Sequence, residues 1–130
     1  MKSKTALFFN ALLVIVFVFA FTLPAFAGKT YKLGMSLAIT GPTSDAGNPY
    51  AKGAEDWFKF VNETDYLGDG DKIDCPIRDD QYKNDTTKRF FEEFLDDGIL
   101  IFLSYATGGN LALKRDFEEV QIPVIPASYH

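Results

Sequence analysis

The 130-residue chain carries 13 Lys and Arg against 18 Asp and Glu, a net charge of −5, and is 47% hydrophobic. That length holds at most one ordinary domain of roughly 100–200 residues, and the acidic balance excludes a binder of the nucleic-acid phosphate backbone, which needs a basic face. A single Cys (Cys75) excludes an internal disulfide, and a single His (His130) excludes a histidine-rich metal site.

The first 27 residues differ from the rest. Lys2 and Lys4 precede an apolar run over 6–23 that only Asn10 and Thr22 interrupt, and Pro24 and Ala25-Phe26-Ala27 follow. A basic start, an apolar stretch and small residues at −3 and −1 are the marks of a cleavable export signal, with the cut expected between Ala27 and Gly28. An uncleaved anchor is the rival, since 18 residues nearly span a hydrocarbon core of about 30 Å. The small-residue site after a helix-breaking proline favours cleavage. Removing residues 1–27 leaves 103 of the 130, with 11 basic and 18 acidic side chains, and takes six of the 13 Phe. An exported acidic domain with a lone thiol suits a bacterial periplasm. Cys75, flanked by Ile73 and Ile77 at spacing two, is expected to be a buried strand residue.

The mature chain alternates strand and helix. Tyr31, Leu33, Met35 and Leu37 alternate with Lys32, Gly34 and Ser36, which predicts a strand over 31–38. Turn formers fill 39–48. Ala51, Ala54, Trp57, Phe58 and Val61 recur at three and four, which predicts a helix over 49–62 with Pro49 in its first turn. A second strand is predicted over 72–78, with Pro76 marking an edge or a bulge. Asn84 or Asp85 is expected to cap a helix with Phe90, Phe91, Phe94 and Leu95 inward, and Gly98 to stop it. The apolar run 99–103 predicts a strand covered on both faces. A loop over 106–110, a short helix over 111–120 and a fourth strand starting in 123–126 complete the pattern. The order β-α-β-α-β-α-β implies an α/β fold, a parallel sheet with helices on both faces. Ligands bind such sheets at the carboxyl ends of the strands, here residues 39–49, 78–84, 105–110 and 127–130. Three of these four segments are rich in Thr, Ser, Gly and Asn, which favours a small polar ligand.

Other motifs have plainer readings. Asp79-Asp80 resembles the acidic pair of phospho-accepting receiver domains, but Ser104-Tyr105 stands where the acceptor Asp belongs; loop carboxylates in solvent, or acids near a helix start, are expected instead. The acidic stretch 65–74 fails the calcium-loop pattern and is expected to be a tight turn. The two Asn-x-Thr sequons, at Asn62 and Asn84, are expected to be chance. Ala106-Thr107-Gly108-Gly109 before a helix lacks the lysine and spacing of a P-loop, but could meet an anionic ligand end such as a carboxylate. No nucleophile is placed with a base, so catalysis finds no support.

The residues carry a family resemblance. The chain resembles the N-terminal lobe of an ABC-transporter periplasmic binding protein of the branched-chain amino acid (Leu/Ile/Val) type. The resemblance rests on Lys32-Leu-Gly-Met-Ser-Leu-Ala-Ile-Thr-Gly-Pro42 after a signal peptide, on Gly47 and Gly53-Ala54, on Asp79-Asp80, on Asp97-Gly98, and on Gln121-Ile-Pro-Val-Ile-Pro-Ala-Ser128. It covers residues 30–130.

The resemblance implies residues 28–130 of a periplasmic binding protein type I lobe, incomplete and truncated, behind a signal peptide at 1–27. It implies a protein that is not an enzyme and uses no cofactor or metal. Its ligand would be an amino acid, an amide or a small carboxylate, its partner an ABC permease in the inner membrane, and its location the periplasm. The hydroxyl that meets the ligand carboxylate falls on Thr107, with Ala106 and Gly108 beside it, and the backbone that meets the ammonium falls on Ser128. A usual Thr falls on His130, and the aromatic that covers the ligand falls on Ala46, for which Tyr50 or Tyr105 could compensate. Both departures leave the ligand open. Without a second lobe, the 130-residue polypeptide is expected to bind such a ligand weakly or not at all. The alternative is a ligand-sensing periplasmic domain of a receptor or regulator; the sequence that follows the lobe and the neighbouring genes would separate the two.

Overall fold

The structure, a computed structural model, describes residues 28–127. Residues 1–27, over which an export signal is expected, and Ser128 and His130 lie outside the described residues. The chain runs β1 (Thr30–Leu37), α1 (Ser44–Glu63), β2 (Lys72–Asp74), β3 (Ile77–Asp79), α2 (Asn84–Asp96), β4 (Ile101–Ser104), α3 (Thr107–Ala112), α4 (Lys114–Val120) and β5 (Val124–Pro126). Every strand pairing is parallel. β2 and β3 lie end to end along one side of β1, β4 along the other, and β5 beyond β4. This is the expected α/β sheet.

The strand expected over 72–78 is broken at Cys75-Pro76. Proline has no N–H to give the ladder, so the segment splits into β2, in register with Thr30–Lys32, and β3, in register with Met35–Leu37. The carbonyl of Pro76 still accepts from the Met35 N–H at 3.2 Å, so β1 loses little at the break. Cys75 sits between the two strands, half-buried in the cluster of Met35, Leu37 and Ala51, and burial pushes its thiol up to about 12. At neutral pH it is an inert packing residue.

Side-chain parity divides the core into two faces. Met35 and Leu37 of β1 pack with Ala51 and Ala54 of α1, and with Leu103 and Tyr105 at the end of β4. On the other face Phe102 packs with Phe91 and Phe94 of α2, joined by Leu113 and Phe117. The Phe91 ring lies 5.0 Å from those of both Phe102 and Phe117. The aromatic positions read as the inner face of the second helix are the ones that seal this core.

Four boundaries depart from the sequence reading. α1 starts at Ser44, not Pro49, so Pro49 stands inside the helix. Tertiary contact overrides the local cost: Gly47 presses so close to the Ala38 carbonyl that a Cβ there would lie 1.8 Å from the oxygen, and Asn48 donates to the Ile39 carbonyl at 2.8 Å. α2 begins at Asn84 after Lys83, and neither Asn84 nor Asp85 caps it by side chain. The segment read as a loop over 106–110 is largely the helix α3, and the helix read over 111–120 is divided from it at buried Leu113. β4 begins two residues later than expected. Gly98 stops α2 as read, at φ 75.

The α1 face is less completely covered than the α2 face. A groove of about 570 Å³ opens beside α1, lined by Leu33, Met35, Ala54, Trp57, Phe58 and Leu103 among others. Among the described residues no helix is long and apolar enough to cross a membrane. Phe102→Ala, at a fully buried position, is expected to destabilise by about 3–5 kcal/mol, and Phe60→Ala, at a position 46% exposed, by less than about 1 kcal/mol. Urea unfolding midpoints of the two variants check the contrast.

Candidate functional site

From β1 the chain crosses by way of α1 to β2 and β3, then by way of α2 to β4 on the opposite side of β1. The order therefore reverses between β1 and β4, and in sheets of this kind the carboxyl ends at such a reversal are where ligands bind. The loops after β1, β3 and β4 lie at this end of the sheet.

Asp79 and Asp80 hold the first two of these loops. One Asp79 oxygen accepts from the backbone N–H groups of Ile39, Thr40 and Gln81 at 2.9, 3.1 and 3.1 Å, and the other from the Thr40 hydroxyl at 2.6 Å. The β1–α1 loop, whose amides have left the sheet ladder, is thereby fixed to the end of β3. Burial works against ionisation of Asp79, but the Thr40 hydroxyl and the amides outweigh it and hold the carboxyl below the usual aspartate range.

Asp80 is fully buried. Its Oδ2 accepts from the Ser36 hydroxyl at 2.7 Å and lies 3.1 Å from the Thr87 hydroxyl, and its Oδ1 accepts from the Tyr82 N–H at 2.8 Å. The Thr87 hydroxyl also reaches the Lys83 carbonyl at 3.0 Å, so its single proton is shared between two acceptors. Asp80 thus ties β1 to α2 from inside the protein. The expectation of solvated carboxylates, or of acids near a helix start, is overturned here by the parity of the strands: Ser36 of β1 and Ser104 of β4 are register partners, both are buried, and the Ser104 hydroxyl has no hydrogen-bond partner among the described residues.

The residues singled out from the sequence fall as follows. Tyr50 and Tyr105 are brought together, with ring centroids 6.1 Å apart. Ala106 is buried and immediately precedes α3, which opens with Thr107 and Gly108. The glycine pair has a packing reason: a Cβ on Gly108 would lie 2.7 Å from Asn84 Oδ1, and one on Gly109 2.9 Å from Thr87. α3 therefore sits tightly on the start of α2, with Thr107 at its first position. Sequence reasoning missed Tyr82, whose ring lies 6.0 Å from that of Tyr105. Of the stretch read as a turn over 65–74, residues 65–71 are one, with Asp65, Gly68, Asp69 and Gly70 at positive φ and Asp65 accepting from the Gly70 N–H at 2.9 Å, whereas Lys72–Asp74 is strand β2. Among the described residues no group of three or more His, Cys, Asp or Glu side chains could hold a metal ion.

A parallel sheet with a reversal beside its first strand, and hydroxyl, amide and tyrosine groups in the loops at the strand ends, defines an α/β lobe of the doubly wound kind. The sequence profile of the periplasmic binding protein family matches residues 30–130, and the chain belongs to that family. It is similar to a branched-chain amino acid ABC transporter protein from Thermus thermophilus solved with bound valine, at 52% identity over 80% of this chain and 27% of that one, TM-score 0.75. It is also similar to an ABC transporter substrate-binding protein from Aeropyrum pernix, at 33% identity over 78% of this chain and 28% of that one, TM-score 0.71. A branched-chain amino acid transporter protein from Rhodopseudomonas palustris matches at 29% identity over 75% of this chain and 27% of that one, TM-score 0.58. The chain spans little more than a quarter of the length of these structures. No curated protein matches it. The family is one of solute-binding proteins, not an enzyme class, and its setting is the periplasm.

Asp79 gives the site a pH dependence. A carboxyl held below its unfolded value of about 3.9 contributes stability that is complete above that value and lost as pH falls through the folded one. The gap in urea midpoint between the protein and Asp79→Asn is therefore expected to be constant above about pH 5 and to narrow below pH 4. A gap unchanged from pH 7 to 3 would show that ionisation plays no part. Asp80→Ala, which strips the buried Ser36 and Thr87 hydroxyls of a partner, is expected to cost about 2–4 kcal/mol at pH 7, read from the same unfolding curves.

Proposed function

We propose that residues 28–130 supply the first lobe of an exported solute-binding protein that captures an amino acid, or a small amide or carboxylate, for an ABC permease in the inner membrane. The leader would be removed after Ala27, and the mature protein would act in the periplasm. The observation that carries this reading is the meeting of Tyr50 and Tyr105 just past the end of β4, two residues before α3 opens at Thr107. A second support is the likeness to a protein solved with valine at 52% identity.

In this reading the Thr107 hydroxyl and the adjacent backbone donate to the ligand carboxylate, and the backbone at Ser128 meets the ammonium. His130 and the tyrosines flank the ligand. A small zwitterion loses its hydration on entering such a crevice, and donors already fixed in place repay that cost without further ordering. Closure of a second lobe over the crevice would exclude water and report occupancy to the permease. Asp79 and Asp80 act one step back from the ligand, because their acceptors are filled by protein groups.

Titration calorimetry of the full-length gene product against free amino acids, their amides and small carboxylates tests the assignment. Saturable binding of at least one of these solutes is expected, and their methyl esters should bind far more weakly. Thr107→Val, which keeps the side-chain volume and removes the hydroxyl, should weaken binding by about ten- to a hundredfold, as for a lost hydrogen bond to a charged group. An unchanged affinity would remove Thr107 from the site.

A further inference from the structure

The residues on the carboxyl side of the expected cut are built into the fold. Gly28 packs directly on the turn that joins α1 to β2: a Cβ added to it would fall on the Gly70 carbonyl and beside the Asp71 nitrogen. Lys29 is held through both of its backbone groups. Its N–H donates to Asp71 Oδ1 at 2.7 Å, and its carbonyl accepts from the Lys72 N–H at 2.8 Å. β1 begins one residue later, with Thr30 in register with Lys72.

The surface that receives these residues is itself fixed. Gly70 stands at φ 74 with its N–H on Asp65 at 2.9 Å, and the Asp71 N–H donates to the Gly68 carbonyl at 3.0 Å. The second oxygen of Asp71 accepts from the Tyr31 hydroxyl at 3.0 Å, so one carboxylate clasps the chain at 29 and at 31. The Lys29 N–H, and after it the Tyr31 hydroxyl, hold this carboxyl below the usual aspartate range.

A peptidase that takes its substrate as an added strand pairs with backbone groups on both sides of the scissile bond. The folded lobe withholds them. The Lys29 N–H is already engaged, and Gly28 lies so close to Gly70 that no enzyme wall fits between the two. A chain end is open to proteolysis unless it is tied down, and this one is tied down from its first described residue.

We propose that the folded lobe closes its own processing site, with Asp71 as the latch, so that the Ala27–Gly28 bond is cut only before β1 pairs with β2 or while residues 28 and 29 stand away from the turn. This rests on the leader reading above and adds the order of events to it. The reaction is hydrolysis by a leader peptidase: one water adds across the Ala27–Gly28 amide, leaving a carboxylate on Ala27 and an ammonium on Gly28. Cleavable leader and uncleaved anchor are then two outcomes of one race. A chain cut first is released, and a chain that folds first keeps its apolar stretch.

The test uses the full-length gene product with residues 1–27 attached, in detergent with purified leader peptidase. One portion is folded beforehand, and another is diluted from urea straight into the enzyme; mass spectrometry reads the cut. The prefolded portion is expected to be cut about ten- to a hundredfold more slowly, because cleavage then waits on local opening. Asp71→Ala, at an unchanged thermal midpoint, should bring the prefolded rate to within about threefold of the diluted one. Asp69→Ala, in the same turn, should stay protected. Equal rates for the two portions of the parent, or an Asp71→Ala variant as slow as the parent, would overturn the proposal and leave the leader reading intact. A diluted chain that is not cut after Ala27 would overturn both. Where Asp71→Ala does not fold, hydrogen exchange at the Lys29 amide of the parent decides: protection like that of the β1 amides is expected, and exchange at the rate of an unstructured chain would remove the latch.

Discussion

The crevice depends on two adjacent carboxylates at the end of one short strand. Where a parallel sheet ends, the backbone donors of its outgoing loops lose their ladder partners, and each must find an acceptor or face water. Asp79 supplies acceptors for the loop after β1, and Asp80 for the loop after β3 and for the hydroxyl of Ser36. The alternation of strand side chains sends the pair to different surroundings: Asp79 to the rim and Asp80 into the interior. One dipeptide thereby fixes the two loops on one side of the reversal point, those after β1 and β3. A binding surface prepared in this way does not have to be ordered by the ligand, and the ordering cost it avoids is available as affinity.

The two faces of the sheet serve this arrangement differently. On the α2 face the rings of Phe91, Phe94, Phe102 and Phe117 fill the space between helices and strands, giving α2 a fixed position from which Thr87 can reach Asp80. On the α1 face the residues are smaller and the packing is more open, with the groove beside α1 and the half-exposed rings of Trp57, Phe60 and Tyr66 stacked along the helix. Rigidity is concentrated where the polar network needs it. The start of α1 is the exception on its own face, because Gly47 and Asn48 bind it to the end of β1.

The elements were legible in the sequence wherever one face is buried against the rest. Leu33, Met35 and Leu37 gave β1 its period of two, and the Phe residues gave α2 its inner stripe. The start of α1 was not legible, since Thr43 to Asn48 are all turn formers and Pro49 has the local preferences of a first turn; what holds a helix there is contact with Ala38 and Ile39, which local preference does not contain. The site was half legible. Tyr105 and Thr107 stand at a strand end and a helix start, and Tyr50 on the apolar-patterned part of α1, all of which periodicity can approach. Asp80 could not be told from an ordinary surface acid, because its burial follows from Ser36 and Thr87 facing it across two elements. Tyr82 was hidden by the same fact, for its position follows from the turn that Asp79 and Asp80 impose.

The glycines of α3 complete the chain of dependence. Read locally, Thr107-Gly108-Gly109 suggests amides laid open to an anion. In the fold, Gly109 is small because Thr87 stands against it, and Gly108 because Asn84 does. Thr87 is itself fixed by Asp80. The position of Thr107 is thus set through α2 by the carboxylate that also sets Tyr82, so the polar and aromatic parts of the crevice share one anchor. A side chain added at Gly109 would push α3 away from α2 and displace Thr107 without touching any ligand group. Glycine at this position is a constraint on where the Thr107 hydroxyl sits.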